Sequence, residues 1–430
     1  MNTSTTVMTE NKEQNDYSGW VLIVGCFCVV FALIGLFNGW SANDSRPVLS
    51  WLLGLTFWIS IGVGMLFLTM LFYVFKAKWA IIVRRQLEHC LSAFPLLAIL
   101  FLPLLIVSWV GDHPGIIWKW MDPNFLLASG DTVAQDVLYS KKESFLNIEF
   151  FTIRAVIYFG VFCGLSFLLR KCSFTMDKDG DPKWAGLGLK VSAIGIPLMA
   201  FAATFAAIDW LKSTEYHWFS TMYGVWFFAG SIRAALSTTF IICAILATKG
   251  YLKGIYKQGH RYQISCLMLA FTVFWAYITF CQYFLIYNAN IPEETFWYNL
   301  REFNADGTGY GKNSWWWVGI ALIFGHFLMP FLYMLSYKHK VAIKWTIPVA
   351  VWILCFHLLD LYYNILPKLV AEPSMPMGYE VTTFSPVIYD LFAVVGIGCI
   401  CAWAFLKSMK TTEPIPIRDP RILESVNHHQ

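Results

Sequence analysis

Residues 49–75 read LSWLLGLTFWISIGVGMLFLTMLFYVF and contain no charged side chain. One helical crossing of a hydrocarbon core about 30 Å thick needs about 20 apolar residues, so this run predicts a transmembrane helix. Nine further stretches share its length and its apolar character. The ten predicted spans are 18–40, 49–75, 86–110, 146–169, 187–210, 219–248, 262–287, 314–337, 346–366 and 386–406.

The composition of the whole chain also indicates a polytopic membrane protein. Of its 430 residues, 57% are hydrophobic, 18% are aromatic and 13% are charged. A soluble domain carries about 25% charged residues, so a soluble enzyme is excluded, as are disordered and collagen-like chains. A net charge of +4 does not indicate a nucleic-acid partner. We predict an all-α membrane protein with ten transmembrane helices, surrounded by membrane lipids.

The basic residues are distributed unevenly between the two sides of the membrane. The tails and the loops after even-numbered helices hold 20 of the 31 Lys and Arg residues, whereas the loops after odd-numbered helices hold eight. Cytoplasmic loops are enriched in Lys and Arg, so both termini are predicted to be cytoplasmic. The long loops 111–145 and 288–313 then lie outside. They either dock an extracytoplasmic partner or only cap the helices.

A short pattern recurs in the chain at a constant offset of 151 residues. Its members are Ile196, Pro197, Phe205 and Asp209 in the fifth predicted helix, and Ile347, Pro348, Phe356 and Asp360 in the ninth. Together with weaker matches in neighbouring helices, it predicts that helices 2–5 and 6–9 form two related four-helix bundles, flanked by helices 1 and 10.

This repeat divides the chain into six units. They are a cytoplasmic N-terminal tail (1–17), a first flanking helix with its loop (18–48), the first bundle (49–210), the second bundle (211–366), an outer loop with the last flanking helix (367–406) and a cytoplasmic C-terminal tail (407–430).

The eleven cysteines show no metal-binding or haem-attachment spacing. The close pairs Cys26/Cys28 and Cys399/Cys401 are two residues apart, which places their side chains on opposite faces of a helix. We therefore assign no metal-binding, cofactor-binding or catalytic residue to this chain from its cysteines.

Ionisable side chains within the predicted spans are the best candidates for chemistry, because each is costly to place in lipid and needs a partner. His326 and His357 lie near the middle of helices 8 and 9. Asp360 lies three residues after His357, on the same helix face and about 4.5 Å further outward. These three residues are predicted to form a polar cluster. Arg233 is expected to pair with an acid, with Asp209 as the geometric candidate, and Glu149 is expected to pair with Arg154.

Three interpretations of the predicted cluster remain open. It is a proton relay, since His titrates near neutral pH; or two histidines hold one b-type haem; or a His–Asp hydrogen bond joins two helices. The candidate residues of a proton pathway are Asp209, His217, Arg233, His326, His357, Asp360 and Asp390.

Two stretches of the chain resemble a known family. The first comprises Asp-Trp-Leu at 209–211, His-Trp-Phe-Ser-Thr at 217–221 and Tyr-Gly-Val-Trp-Phe-Phe-Ala-Gly-Ser at 223–231; the second comprises Phe-Gly-His-Phe at 324–327 and Pro-Phe at 330–331. They are similar to the NrfD-like (polysulfide-reductase membrane subunit) family, and most closely to the second such subunit of bacterial alternative complex III, a quinol:cytochrome c oxidoreductase.

The resemblance implies an integral subunit of the bacterial inner membrane that holds no redox cofactor itself and that stabilises the complex and carries protons. The implied partners are a multihaem c-type cytochrome subunit, an iron–sulfur subunit, a sister NrfD-like membrane subunit that holds the quinol site, and a haem–copper oxidase. Haem c and iron–sulfur clusters would belong to the partners.

One segment departs from the family pattern. The Pro-Gly-Trp-His-like segment of the sister subunit is replaced here by Arg-Pro-Val-Leu-Ser-Trp at 46–51, which argues against quinol oxidation by this chain. A stand-alone secondary transporter is the alternative function, because internal repeats and buried charges also suit transporters. The Trp-rich outer loops favour docking to a partner instead.

Overall fold

The computed structural model describes residues 17–111, 113–127, 130–303, 311–371 and 379–427. Nearly all of the predicted N-terminal tail therefore lies outside the described residues. Within these ranges, ten helices are long and apolar enough to cross a membrane, as predicted. They are α1 (Ser18–Ser41), α2 (Ser45–Val74), α3 (Lys78–Trp109), α4 (Ile148–Asp179), α5 (Lys183–Trp210), α6 (Tyr223–Thr248), α7 (Gln258–Ala289), α8 (Ser314–Leu335), α9 (Ile343–Ile365) and α10 (Ile388–Thr411).

The remaining elements are short and lie between or after the spans. A two-stranded antiparallel sheet joins β1 (Leu369–Ala371) to β2 (Tyr379–Val381), with Leu369 opposite Val381. The short helices are Val137–Ser140, Pro292–Glu302, Tyr337–Val341 and Ile422–Val426. The chain is thus an all-α, multi-pass membrane protein, as its composition and ten apolar runs predict.

Side-chain caps explain where several spans begin. Asp44 accepts a hydrogen bond from the backbone N–H of Arg46 at the start of α2, and Asn147 accepts one from Phe150 at the start of α4. Such caps satisfy N–H groups that have no partner inside the helix. At the end of α4, Gly180 adopts a left-handed conformation (φ 73°) that terminates the helix.

Two spans extend well beyond their predicted ends. Helix α3 begins at Lys78 rather than at residue 86, and α4 continues to Asp179 rather than stopping at residue 169. The sequence prediction stopped where charges begin. In the structure Arg85 of α3 pairs with Asp177 of α4 at 2.5 Å. The charged residues therefore lie within the helices and connect the extended ends of α3 and α4.

Helices α2 and α6 form the centre of the molecule, since most of each is buried, whereas less than half of every other span is buried. The two helices approach closely at Gly64, where an added Cβ would lie 2.2 Å from the carbonyl oxygen of Ser231. Small residues at helix crossings allow this approach in membrane proteins. Exposed side chains such as Phe27, Ile194 and Phe280 cover the outer, lipid-facing surface.

Helices α1 and α10 pack along each other and against α2. Within the first predicted bundle, α4 packs on α5 and on α3, and α5 packs on α2; within the second, α6 packs on α7 and α9, and α7 packs on α8. Because α2 also packs along α6 and against α9, the two sets share an extensive interface. Their division into two related bundles stays a prediction.

Candidate functional site

A buried polar cluster lies where α8 and α9 meet the central helix α6. The side chains of His326, His357 and Asp360 each offer one nitrogen or oxygen atom, and these atoms all lie within 4.8 Å of one another. All three residues are buried. The spacing of three residues between His357 and Asp360 thus places both on the face of α9 that meets His326, as the sequence predicts.

Neutral donors surround the carboxylate of Asp360. Its Oδ2 accepts hydrogen bonds from the indole N–H groups of Trp275 at 2.9 Å and Trp226 at 3.2 Å, and its Oδ1 accepts one from the amide of Asn364 at 3.2 Å. The three donors come from α7, α6 and α9. They solvate the carboxylate inside the protein without an ion pair, since no cation among the described residues lies within salt-bridge distance of it.

His357 connects the cluster to α2. Its Nε2 lies 2.8 Å from the hydroxyl oxygen of Ser60, and that hydroxyl lies 2.7 Å from the carbonyl oxygen of Phe57. When the hydroxyl donates to Phe57, it can only accept from His357, which assigns the ring proton to Nε2. The Nδ1 atom of His357 then has a free lone pair and no hydrogen-bond partner within the described part of the chain.

His326 lies in a π-helical segment of α8, Leu322–Leu328. Such segments are rare and are often found at functional sites. Trp275 packs edge-on against its imidazole, with ring centres 4.2 Å apart. Both ring nitrogens are buried and lack a hydrogen-bond partner among the residues that the structure describes.

Arg233 of α6 completes the cluster. Its Nη2 donates a hydrogen bond to the backbone carbonyl of His326 at 2.5 Å. Its Nε and Nη1 atoms are buried and have no partner in the described ranges. Its guanidinium lies 5.9 Å from the centre of the Trp275 ring, whose indole N–H donates to Asp360. The expected pairing of Arg233 with Asp209 is wrong, because Asp209 is engaged elsewhere.

Asp209 forms a closed ion pair inside the first set of helices. Its carboxylate accepts from Arg154 Nε at 2.7 Å and Nη2 at 3.0 Å, and from the Tyr158 hydroxyl at 2.6 Å. The expected pairing of Glu149 with Arg154 is therefore also wrong. Glu149 is exposed on the outside of α4, whereas Arg154 is buried. Residues five positions apart lie on roughly opposite faces of a helix, so these two side chains point away from each other.

The other two predicted pathway residues lie outside the cluster. His217 Nε2 is 2.5 Å from Asp136 in the loop before α4. Burial raises the pKa of Asp136, but hydrogen bonds from Tyr216 and His217 outweigh it and hold this pKa below its usual value. Asp390 at the start of α10 pairs with Arg46 at 2.6 Å. Both contacts join structural elements. The structure thus brings together four of the seven candidates, Arg233, His326, His357 and Asp360.

Sequence reasoning missed a second buried charge network, centred on Glu88 of α3. Its carboxylate accepts from Ser173 at 2.5 Å, from Arg84 at 3.0 Å and from the Tyr73 hydroxyl at 3.3 Å. Arg84 also pairs with Asp419 of the C-terminal tail at 2.9 Å. Glu88 could have been found, because it is an acid inside the predicted span 86–110 with Arg84 four residues before it. The partnership with Asp419 has no signal in the sequence.

The geometry of the cluster suits proton exchange better than a metal or a haem. The three ligand atoms lie within 4.8 Å of one another, a spacing that could hold a metal ion, but the buried cation Arg233 would repel one. A haem between the imidazoles would displace Trp275 from one ring and Ser60 from the other.

No family model matches this chain, and no curated protein matches it either. The stretches 209–231 and 324–331 both contribute to the cluster. The first contains Trp226 and Gly230 and ends two residues before Arg233, and the second contains His326 and Pro330. Gly230 lets α6 approach α9, since an added Cβ would lie 3.3 Å from His357 Nδ1.

Proposed function

We propose that this chain is an integral membrane subunit of a bacterial respiratory quinol:cytochrome c oxidoreductase of the alternative complex III type, and that its intramembrane cluster transfers protons. The multi-pass helical fold and the resemblance of the two stretches at 209–231 and 324–331 support membership of the complex. The excess of basic residues in the tails and even-numbered loops supports an inner-membrane orientation with both termini cytoplasmic.

One observation carries the proton-transfer proposal. Two imidazoles and a carboxylate lie together in the buried interior of a membrane protein, and three of the four imidazole nitrogens have no partner among the described residues. Buried polar groups are nearly always hydrogen-bonded, so orphaned ones need an explanation. A proton-transfer site needs such free lone pairs, whereas a structural His–Asp bond would use them.

The proposed proton transfer takes place between named atoms of the cluster. Asp360 releases a proton from its carboxyl group, and the free lone pair of His357 Nδ1 or of a His326 nitrogen accepts it. The imidazolium of His357 formed in this way keeps its Nε2 proton in the hydrogen bond to the Ser60 hydroxyl. The indoles of Trp226 and Trp275 keep the Asp360 carboxylate solvated after the proton has left.

The remaining parts of the activity are assigned to partner subunits. Haem c belongs to the multihaem cytochrome, the iron–sulfur clusters to the iron–sulfur subunit, and the quinol site to the sister NrfD-like subunit. A haem–copper oxidase is a further partner. This chain stabilises the complex and conducts protons, and it contributes no redox cofactor.

Membership of the complex is tested by affinity purification of the tagged chain from its native membrane in mild detergent. We expect it to elute with subunits that show c-type haem absorbance and with quinol:cytochrome c activity. A tagged copy of an unrelated multi-pass protein from the same membrane is the control. Elution of this chain alone, without haem, would contradict the proposal and favour the secondary transporter.

Proton transfer is tested by His357→Ala in the assembled complex. We expect proton release per electron to fall by at least half, because the variant removes both the free Nδ1 and the contact with Ser60. The control is Asp390→Asn, which alters a buried acid that lies outside the cluster and is expected to leave the ratio unchanged. An unchanged ratio in His357→Ala would support a structural role for the cluster instead.

A further inference from the structure

The π-helical segment of α8 ends at a proline that changes the backbone hydrogen bonds beside His326. In a π-helix a carbonyl accepts from the N–H five residues on, and in an α-helix from the N–H four residues on. Pro330 has no N–H. It therefore cannot serve as the π-type donor for Gly325 or as the α-type donor for His326.

Side chains from two neighbouring helices take the places of these missing donors. Trp352 of α9 donates its indole N–H to the carbonyl of Gly325 at 2.7 Å. Arg233 of α6 donates to the carbonyl of His326 at 2.5 Å. Two carbonyls of α8 at His326 are thus bonded by side chains of α6 and α9, and neither nitrogen of the His326 imidazole has a hydrogen-bond partner among the described residues.

Arg233 has a second potential partner in the cluster. Its Nε and Nη1 donors are buried and unused by the part of the chain that is described, and a buried guanidinium gains most from a carboxylate. Asp360 is the acid of this cluster, and Trp275 contacts both groups: the Arg233 guanidinium lies 5.9 Å from its ring centre, and its indole N–H donates to Asp360 at 2.9 Å. The groups that contact Asp360 or belong to the same cluster are Trp226 and Arg233 from α6, with Tyr223 packed on Trp226, Trp275 from α7, His326 from α8, and His357 and Asn364 from α9.

We infer that Arg233 is a positioning residue that couples the charge of Asp360 to the position of His326 through the backbone of α8. With Arg233 on the His326 carbonyl and only neutral donors on Asp360, the structure corresponds to the protonated acid in this scheme. When Asp360 loses its proton, its carboxylate attracts the guanidinium and weakens the bond to the His326 carbonyl, so the π segment shifts and moves the imidazole. When Asp360 regains a proton, the guanidinium returns to the carbonyl. Proton transfer and helix movement are thereby linked at one side chain.

This inference rests on the proposed proton transfer, and Pro330→Ala tests it without changing any member of the cluster. The backbone N–H that this substitution restores competes with Arg233 and Trp352 for the two carbonyls. We expect the restored N–H to bond the His326 carbonyl and release Arg233 in a structure of the assembled complex, and we expect proton release per electron to fall at least twofold.

The matched control is Pro197→Ala, which replaces a proline inside α5 and is expected to leave both the α8 register and the proton ratio unchanged. A second variant, Trp352→Phe, removes one of the two holding donors and keeps an aromatic ring. It is expected to lower the proton ratio less than Pro330→Ala does, and it decides the question if Pro330→Ala does not assemble.

Two results would overturn the inference. One is a Pro330→Ala complex with an unchanged proton ratio; the other is an unchanged ratio in Trp352→Phe when Pro330→Ala cannot be assembled. Either result would still be consistent with the proposed proton transfer if His357→Ala lowers the proton ratio. An unchanged ratio in His357→Ala would instead remove the proposed function itself.

Discussion

Asp209 and Asp360 occupy equivalent places in the sequence pattern, yet the structure uses them in opposite ways. Asp209 is held by two nitrogens of Arg154 and by the Tyr158 hydroxyl. Asp360 is held only by indole and amide donors, and the nearby Arg233 is bonded to a backbone carbonyl instead. A buried acid with a bidentate cation is a stable structural pair, whereas one with neutral donors and adjacent imidazoles is equipped to exchange protons.

The largest expected effect is a loss of stability that differs between Arg154 and Arg233. Arg154→Ala leaves the Asp209 carboxylate buried without its cation, which should cost about 3–5 kcal/mol of stability. Arg233→Ala removes one hydrogen bond from a charged group and should cost about 1.5–3 kcal/mol. Thermal unfolding of the purified complex measures both. A greater loss in Arg233→Ala than in Arg154→Ala would contradict the contrast between the two sites.

A smaller effect is expected where the two sets of helices meet. In Gly64→Ala the added Cβ would lie 2.2 Å from the carbonyl oxygen of Ser231, so α2 and α6 must move apart, at a cost of about 1–3 kcal/mol. Gly160→Ala is the matched control, since an added Cβ there meets no atom within 4 Å. Equal melting temperatures for both variants would show that the close approach of α2 and α6 does not limit stability.

The smallest expected effect on stability concerns Lys368, which follows α9. Its ammonium lies 3.5 Å from the carbonyl of Ile117 in the loop between α3 and α4. Burial and the nearby Lys119 lower the pKa of Lys368 to about 7, and Glu215 offsets part of this. The unfolded chain keeps this proton up to about pH 10.4. Between about pH 7 and pH 10.4 the folded state binds fewer protons at Lys368 than the unfolded state does. Lys368 therefore makes the free energy of unfolding rise with pH over this range.

Lys368→Met removes this titration. We expect the variant to exceed the parent protein in melting temperature at pH 6 and to lose that advantage by pH 10. Lys344→Met replaces an exposed lysine and should show no such pH dependence. A Lys368→Met variant that is less stable than the parent at pH 6 would contradict the assignment of Lys368 as a buried, destabilising charge.

The sequence predicted the ten spans because strongly apolar runs of membrane-spanning length have few other interpretations. It predicted the cluster on α9 because residues three apart share a helix face. It did not predict the partner of Arg233, since that partner is a backbone carbonyl freed by Pro330, and no pattern in the sequence specifies which side chain takes it. It also placed Arg154 with Glu149, because sequence proximity was the only guide to a partner that lies 55 residues away.

The most direct measurement compares Asp360→Asn with Asp209→Asn in assembled complexes, by counting protons released per electron transferred from quinol to cytochrome c. We expect Asp360→Asn to lower the ratio by at least half. We expect Asp209→Asn to reduce the yield of the complex but to leave the ratio of the assembled fraction unchanged. Equal ratios in both variants, or a loss confined to Asp209→Asn, would contradict a proton-transfer site at Asp360.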